Sequence, residues 1–81
     1  MDKIEQIVLV AVNDILVKNG QANLSVANMA TRNIEDLGFD SMDKLDLVME
    51  IEDRLDILFS NSDLLKCRTL QDLVLFIGKL Q

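Results

Sequence analysis

The stretch Ser41-Met42-Asp43-Lys44-Leu45-Asp46-Leu47-Val48-Met49-Glu50-Ile51-Glu52-Asp53-Arg54-Leu55 decides the fold. Leu47, Ile51 and Leu55 recur at i, i+4 and i+8, which places them on one face of a helix, with Val48 and the aliphatic stem of Lys44 at its edge. The helix is expected to begin after Asp40 and to end near Asp56 to Leu58. Upstream, Ile4, Ile7, Val8, Ala11 and Ile15 predict an amphipathic helix over about residues 2 to 17, stopped by Asn19-Gly20. Downstream, Asn61 or Ser62 is the expected N-cap of a segment of one or two turns reaching Lys66. Thr69 opens a T-x-x-D capping pattern with Asp72, ahead of Leu70, Leu73, Val74, Ile77 and Leu80 at helical spacing.

Between the first two helices, residues 18–40 are polar and weakly periodic, with Leu24, Val26, Met29, Ile34, Leu37 and Phe39 as scattered apolar anchors. Loops beyond about 12–15 residues are uncommon in compact domains unless they are functional or hold short helical turns. The expectation is an all-α, small four-helix bundle of three longer helices and one short helix, with a long loop between helices 1 and 2. Residues 1–81 are read as one domain, either free-standing or cleanly excised, since no repeat or low-complexity linker divides them.

Composition agrees. Of 81 residues 49% are hydrophobic, yet there are three Phe and neither Trp nor Tyr, so the core is built from Leu, Ile, Val, Met and Ala. Proline is absent and only three glycines punctuate the chain, which leaves a many-stranded fold without its turns. Fourteen acids against eight bases give a formal charge of -6, and this argues against binding nucleic acid or an anionic membrane surface. The excess is local, because residues 35–56 hold nine acids and two bases while the rest holds five and six. No apolar run approaches the roughly 20 residues that span a bilayer. A lone Cys67 and the lack of a signal-like start point to a reducing, cytoplasmic setting, where the Asn23-Leu24-Ser25 sequon carries no meaning.

Self-contained catalysis is disfavoured. Histidine is absent, which removes the usual general base and the Ser-His and Cys-His nucleophile pairs. A zinc site lacks ligands, and Asp40, Asp43 and Asp46 are spaced by three, not by the two of a calcium loop. Ser41-Met42-Asp43-Lys44 spells S-x-x-K, but the companion S-D-N and K-T-G elements are missing. No catalytic residue and no metal ligand is assigned. What stands out is Asp36-Leu37-Gly38-Phe39-Asp40-Ser41-Met42, a glycine-containing turn that delivers a serine to the start of a long acidic helix. Taken alone, Ser41 is better read as a plain N-cap, a role that Asp40 can fill while flanking it.

Glu35-Asp36-Leu37-Gly38-Phe39-Asp40-Ser41-Met42, followed by Leu45, Leu47-Val48-Met49, Glu52 and Asp53, resembles the E-D-L-G-x-D-S-L signature of acyl carrier proteins. The likeness runs over nearly the whole chain in length, acidity and helix order, as far as Thr69-Leu70-Gln71-Asp72. It implies that Ser41 receives 4'-phosphopantetheine from coenzyme A through a phosphopantetheinyl transferase, with Asp40 and Gly38 in the presenting turn. It further implies a non-catalytic, monomeric carrier that holds fatty-acyl or polyketide-type intermediates as thioesters, as in fatty acid biosynthesis. An aminoacyl or D-alanyl carrier is the alternative within that class, and an unmodified acidic adaptor the alternative outside it.

The outward side of the same helix carries a second signal. Met42, Leu45 and Met49 cannot all face the core that Leu47, Ile51 and Leu55 occupy, and an exposed apolar ridge framed by carboxylates marks an interaction surface. With the family's pattern of docking on Arg and Lys patches, the candidates are Met42, Asp43, Leu45, Asp46, Val48, Met49, Glu50, Glu52 and Asp53, together with Asp40. The expected partners are the transferase and acyl-processing or acyl-loading enzymes. Phe39, Leu45, Met49, Ile57, Phe59 and Leu64 could line a cleft for the cargo, though core packing explains each as well. Departures from the family pattern are Met42 in place of leucine, Asn33 in place of an apolar anchor, Phe39 at an often small position, Arg54 within the acidic run, and Leu58-Phe59-Ser60-Asn61 in place of a proline turn. They point toward a specialised carrier.

Overall fold

The fold grows from the helix read above, α3 (Ser41–Leu55), which buries Leu47, Val48 and Ile51. A computed structural model describes residues 3–29 and 31–80. The other helices are α1 (Lys3–Lys18), α2 (Val26–Met29), α4 (Asn61–Leu65) and α5 (Leu70–Leu80), with a 3-10 turn at Ile34–Leu37. Among the described residues there is no strand of a sheet, and the architecture is all-α. α1 packs against both α3 and α5, and α3 also packs against α4. The shared core holds Val8, Val12, Leu16, Leu47, Ile51, Leu70, Leu73 and Ile77, each no more than 2% exposed. Burying a side chain of this size contributes roughly 1.5–3 kcal/mol, so this stripe-on-stripe contact carries the fold.

α1 stops where its last turn can close on a left-handed residue. Gly20 has φ 78°, its N–H donates to the Val17 carbonyl at 3.0 Å, and the Gln21 N–H reaches back to Leu16 at 2.8 Å. These are the two bonds of a Schellman ending, which glycine permits without a Cβ clash. The start expected at residue 2 lies outside the described residues.

The long connection is less loop-like than its sequence suggests. It contains α2 and the 3-10 turn, and it presents Leu24, Met29, Ile34, Leu37 and Phe39 to the core. Val26, expected as an anchor, is instead 45% exposed at the start of α2. An antiparallel bridge between Asn33 and Thr69 ties the connection to the start of α5. It is closed by Ile34 N–H to the Arg68 carbonyl at 2.9 Å and Leu70 N–H to the Arg32 carbonyl at 3.1 Å.

α4 corrects an expectation. Its N-cap is Ser60, not Asn61 or Ser62, because only Ser60 stands three residues before Asp63 and can exchange both bonds of a capping box with it. α3 ends at Leu55, with Asp56 left-handed at φ 54° as its C-cap. The chain then turns back through Phe59, whose ring meets Phe76 of α5 edge-on at 6.2 Å.

Candidate functional site

Three local constraints bring Ser41 to the surface. Gly38, at φ 72°, ends the 3-10 turn in a conformation that side chains rarely adopt. Phe39 then anchors the strand-like step by burying its ring, and Asp40 takes up extended backbone as the N-cap of α3. The Asp43 N–H donates to Asp40 Oδ1 at 2.8 Å, and the Asp40 N–H donates to Asp43 Oδ2 at 3.3 Å. Lys44 lies with its stem mostly covered and its Nζ 3.3 Å from Glu35 Oε1, pinning the 3-10 turn to the helix.

Ser41 is therefore the first residue inside the helix, and the cap is its neighbour. It is exposed, and its hydroxyl forms no hydrogen bond with any described residue. The N–H groups of Ser41 and Met42 likewise have no acceptor there, as expected at a helix start. A serine that neither caps nor packs has no structural task.

The docking candidates do not all lie on one surface. Met42, Leu45 and Met49 are exposed by 65%, 44% and 53%, forming the outward ridge. Val48 is only 3% exposed and belongs to the core, because its place beside Leu47 and Ile51 turns it inward. On the side facing α1, Asn19 Nδ2 donates to Asp43 Oδ2 at 3.0 Å and Lys18 Nζ lies 3.4 Å from Asp46 Oδ2. Arg54 spans the same seam, 3.3 Å from Glu50 Oε2 and 3.7 Å from Asp14 Oδ2. Partial burial, and then the neighbouring Asp14 carboxylate, push the Glu50 carboxyl above its ordinary value, with Arg54 pulling the other way. Glu52 accepts from the Phe59 N–H at 3.0 Å, while Asp53 is exposed and makes no such contact.

No group of three or more potential ligands among the described residues is placed to hold a metal. A shallow surface depression of about 270 Å³ lies between α4 and α5, lined by Lys66, Cys67, Asp72, Leu75, Phe76 and Lys79. None of the six cleft candidates lines it; Phe39, Phe59 and Leu64 are core residues, whereas Leu45 and Met49 stand outside.

Residues 20–77 match the family model described as a phosphopantetheine attachment site. The acyl carrier protein of Aster yellows witches'-broom phytoplasma is 38% identical over 84% of this chain and 90% of its own length. That of Campylobacter lari is 36% identical over 86% and 91%, and that of Onion yellows phytoplasma 46% identical over 68% and 72%. The chain belongs to the acyl carrier protein family. No solved structure matches it.

As an acyl carrier protein family member, the chain has Gly38, Asp40, Ser41 and the whole of α3 inside the matched span, with all of α1 outside it. The contacts that Asp14 and Lys18 of α1, and Asn19 just after it, make with α3 join residues 24 or more positions apart, a separation that leaves no periodic signal in the sequence. Lys18 and the Asn19 amide at the end of α1, ahead of an acidic helix, were the one available hint.

Proposed function

We propose that Ser41 is the attachment point of 4'-phosphopantetheine and that the chain delivers acyl intermediates, fatty-acyl or polyketide-type, to partner enzymes in the cytoplasm as a monomer. One observation carries the assignment to this residue. Asp40 caps α3, which leaves the Ser41 hydroxyl exposed and unbonded at the positive end of a 15-residue helix. The arm supplies a terminal thiol on which an acyl group is held as a thioester.

The chain's own residues present the serine, and the partner enzymes make and break the bonds. Gly38 sets the turn, Asp40 and Asp43 fix the helix start, and the N–H groups of Ser41 and Met42 are available to a phosphate at that position. With no histidine anywhere, the base that takes the Ser41 proton comes from the transferase. Met42, Leu45 and Met49 form the docking ridge, and carboxylates around it meet Arg and Lys patches. Charge steering suits a carrier that visits several enzymes and leaves each quickly.

Incubation with coenzyme A and a broad-specificity phosphopantetheinyl transferase, followed by intact mass measurement, tests the reading. The wild type gains one arm and Ser41→Ala gains none. A gain that survives in Ser41→Ala contradicts it.

A further inference from the structure

Helices α3, α4 and α5 each open on a cap side chain and a carboxylate three residues on that exchange bonds, and one of these carboxylates also serves another part of the chain. Asp63 accepts the Ser60 N–H at 3.0 Å. Asp72 accepts the Thr69 and Arg68 N–H groups, each at 3.1 Å. All of those donors lie within four residues of the carboxylate. Asp43 Oδ2 accepts the Asp40 N–H at 3.3 Å and, at 3.0 Å, the Nδ2 of Asn19, which is 24 positions away. The bond from outside is the shorter of the two. Asn19 gives it from firm ground, because its own N–H donates to the Ile15 and Leu16 carbonyls at 3.0 and 3.1 Å and Gly20 closes α1 directly after it.

This bond bears on Ser41 through a choice of register. Aspartate and serine are both good N-caps, so the helix could open on Asp40 or one residue later on Ser41. With Asp40 as the cap, the Lys44 N–H goes to the Asp40 carbonyl at 3.0 Å, and the Ser41 hydroxyl stays exposed and unbonded. With Ser41 as the cap, its hydroxyl oxygen would accept the Lys44 N–H and turn against the helix. Lysine at that position has no acceptor with which to complete a capping box. Asp43 answers the cap in the Asp40 register alone, so whatever fixes its carboxylate favours a free serine.

We propose that Asn19 is a positioning residue for arm transfer: by holding the Asp43 carboxylate from the end of α1, it selects the cap register that leaves the Ser41 hydroxyl free for the phosphopantetheinyl transferase. It acts on the serine only through Asp43. The assignment rests on the reading of Ser41 as the attachment point.

The test follows transfer of the arm from coenzyme A to the whole chain by a broad-specificity transferase, at high salt, where steering by surface charge is screened. Asn19→Ala lowers kcat/KM about three- to fivefold, the factor by which the competent register is depopulated. Asn13→Ala cuts the tie between α1 and Leu24 instead, and it keeps the wild-type kcat/KM under conditions where circular dichroism shows both variants folded. Asn19→Asp sets two carboxylates against each other and loses more. Combined with Asp43→Asn it restores the bond with donor and acceptor exchanged, and most of the rate returns. In amide nuclear magnetic resonance spectra the Lys44 N–H signal moves in Asn19→Ala and stays in place in Asn13→Ala. An equal loss in Asn13→Ala, an exchanged pair no faster than Asn19→Asp alone, or an unmoved Lys44 signal in Asn19→Ala overturns the proposal. If the wild type takes up no arm at all, it is the carrier reading that fails; if the wild type is modified and Asn19→Ala keeps pace with it, only this inference does.

Discussion

A single amide, Asn13, holds the long connection against α1 from both sides. Its Nδ2 donates to the Leu24 carbonyl at 3.2 Å, and its Oδ1 accepts from the Leu24 N–H at 2.8 Å. Leu24 is buried, so Asn13→Ala strands a backbone donor and acceptor together. The expected cost is about 1–3 kcal/mol, read as a lower urea midpoint with an unchanged slope. An unchanged midpoint would mean that water replaces the amide. Nothing in the local sequence marks Asn13, which sits among helical residues as any solvent-facing polar group would. Ser41 is the opposite case. Its neighbours announced it, but whether Ser41 or Asp40 caps α3 depends on backbone geometry that both residue types tolerate, and only the fold separates the two.

At the scale of the element, three helix starts use the same device. Asp40 with Asp43, Ser60 with Asp63, and Thr69 with Asp72 each exchange a side chain for a backbone N–H in both directions. The bond from the Ser60 N–H holds the Asp63 carboxyl below its ordinary range, and bonds from the Thr69 and then the Arg68 N–H do so for Asp72. A carboxyl whose folded value is depressed stabilises the protein above its unfolded value, and that contribution is lost as pH falls through the folded value. Asp72→Ala therefore lowers the melting temperature at pH 7, and its difference from wild type shrinks below about pH 4. A difference that stays constant into acid would show that Asp72 acts by packing alone. Glu50 runs the other way: its raised value costs stability at neutral pH, and protonation relieves that cost. The long helices were legible because 11 to 16 residues repeat an apolar stripe. α2 and the 3-10 turn, of four residues each, were not, since helices so short owe their existence to tertiary anchors such as Met29, Ile34 and Leu37. The cap of α4 was misplaced because Ser60, Asn61 and Ser62 are all cap formers, and the pairing with Asp63 decides among them.

Across the whole molecule, charge and core are in tension. The core is entirely apolar among the described residues, and its shape follows from the Leu, Ile and Val pattern of α1, α3 and α5. Against it stand nine acids within residues 35–56, of which Asp36, Asp53 and Asp56 have no pairing with a described residue. Exposed pairs such as Lys18 with Asp46 return about 0–1 kcal/mol each, too little to offset the repulsion. Added sodium chloride or magnesium should raise the melting temperature by a few degrees at neutral pH. A flat response would show that the pairs along α1 already compensate the acids. The acidity of the surface was plain in the composition, whereas which acids stay free depends on how α1 lies across α3, a relation between distant segments.

In the proposed function one hydroxyl, relieved of capping by Asp40, bears the arm. Its most direct test is peptide-level mass spectrometry on the protein recovered from its own cells. A phosphopantetheine group, free or acylated, is expected on the peptide that contains Ser41 and on no other; an arm on another residue, or a Ser41 peptide that is always bare beside an active transferase, would rule Ser41 out as the attachment point.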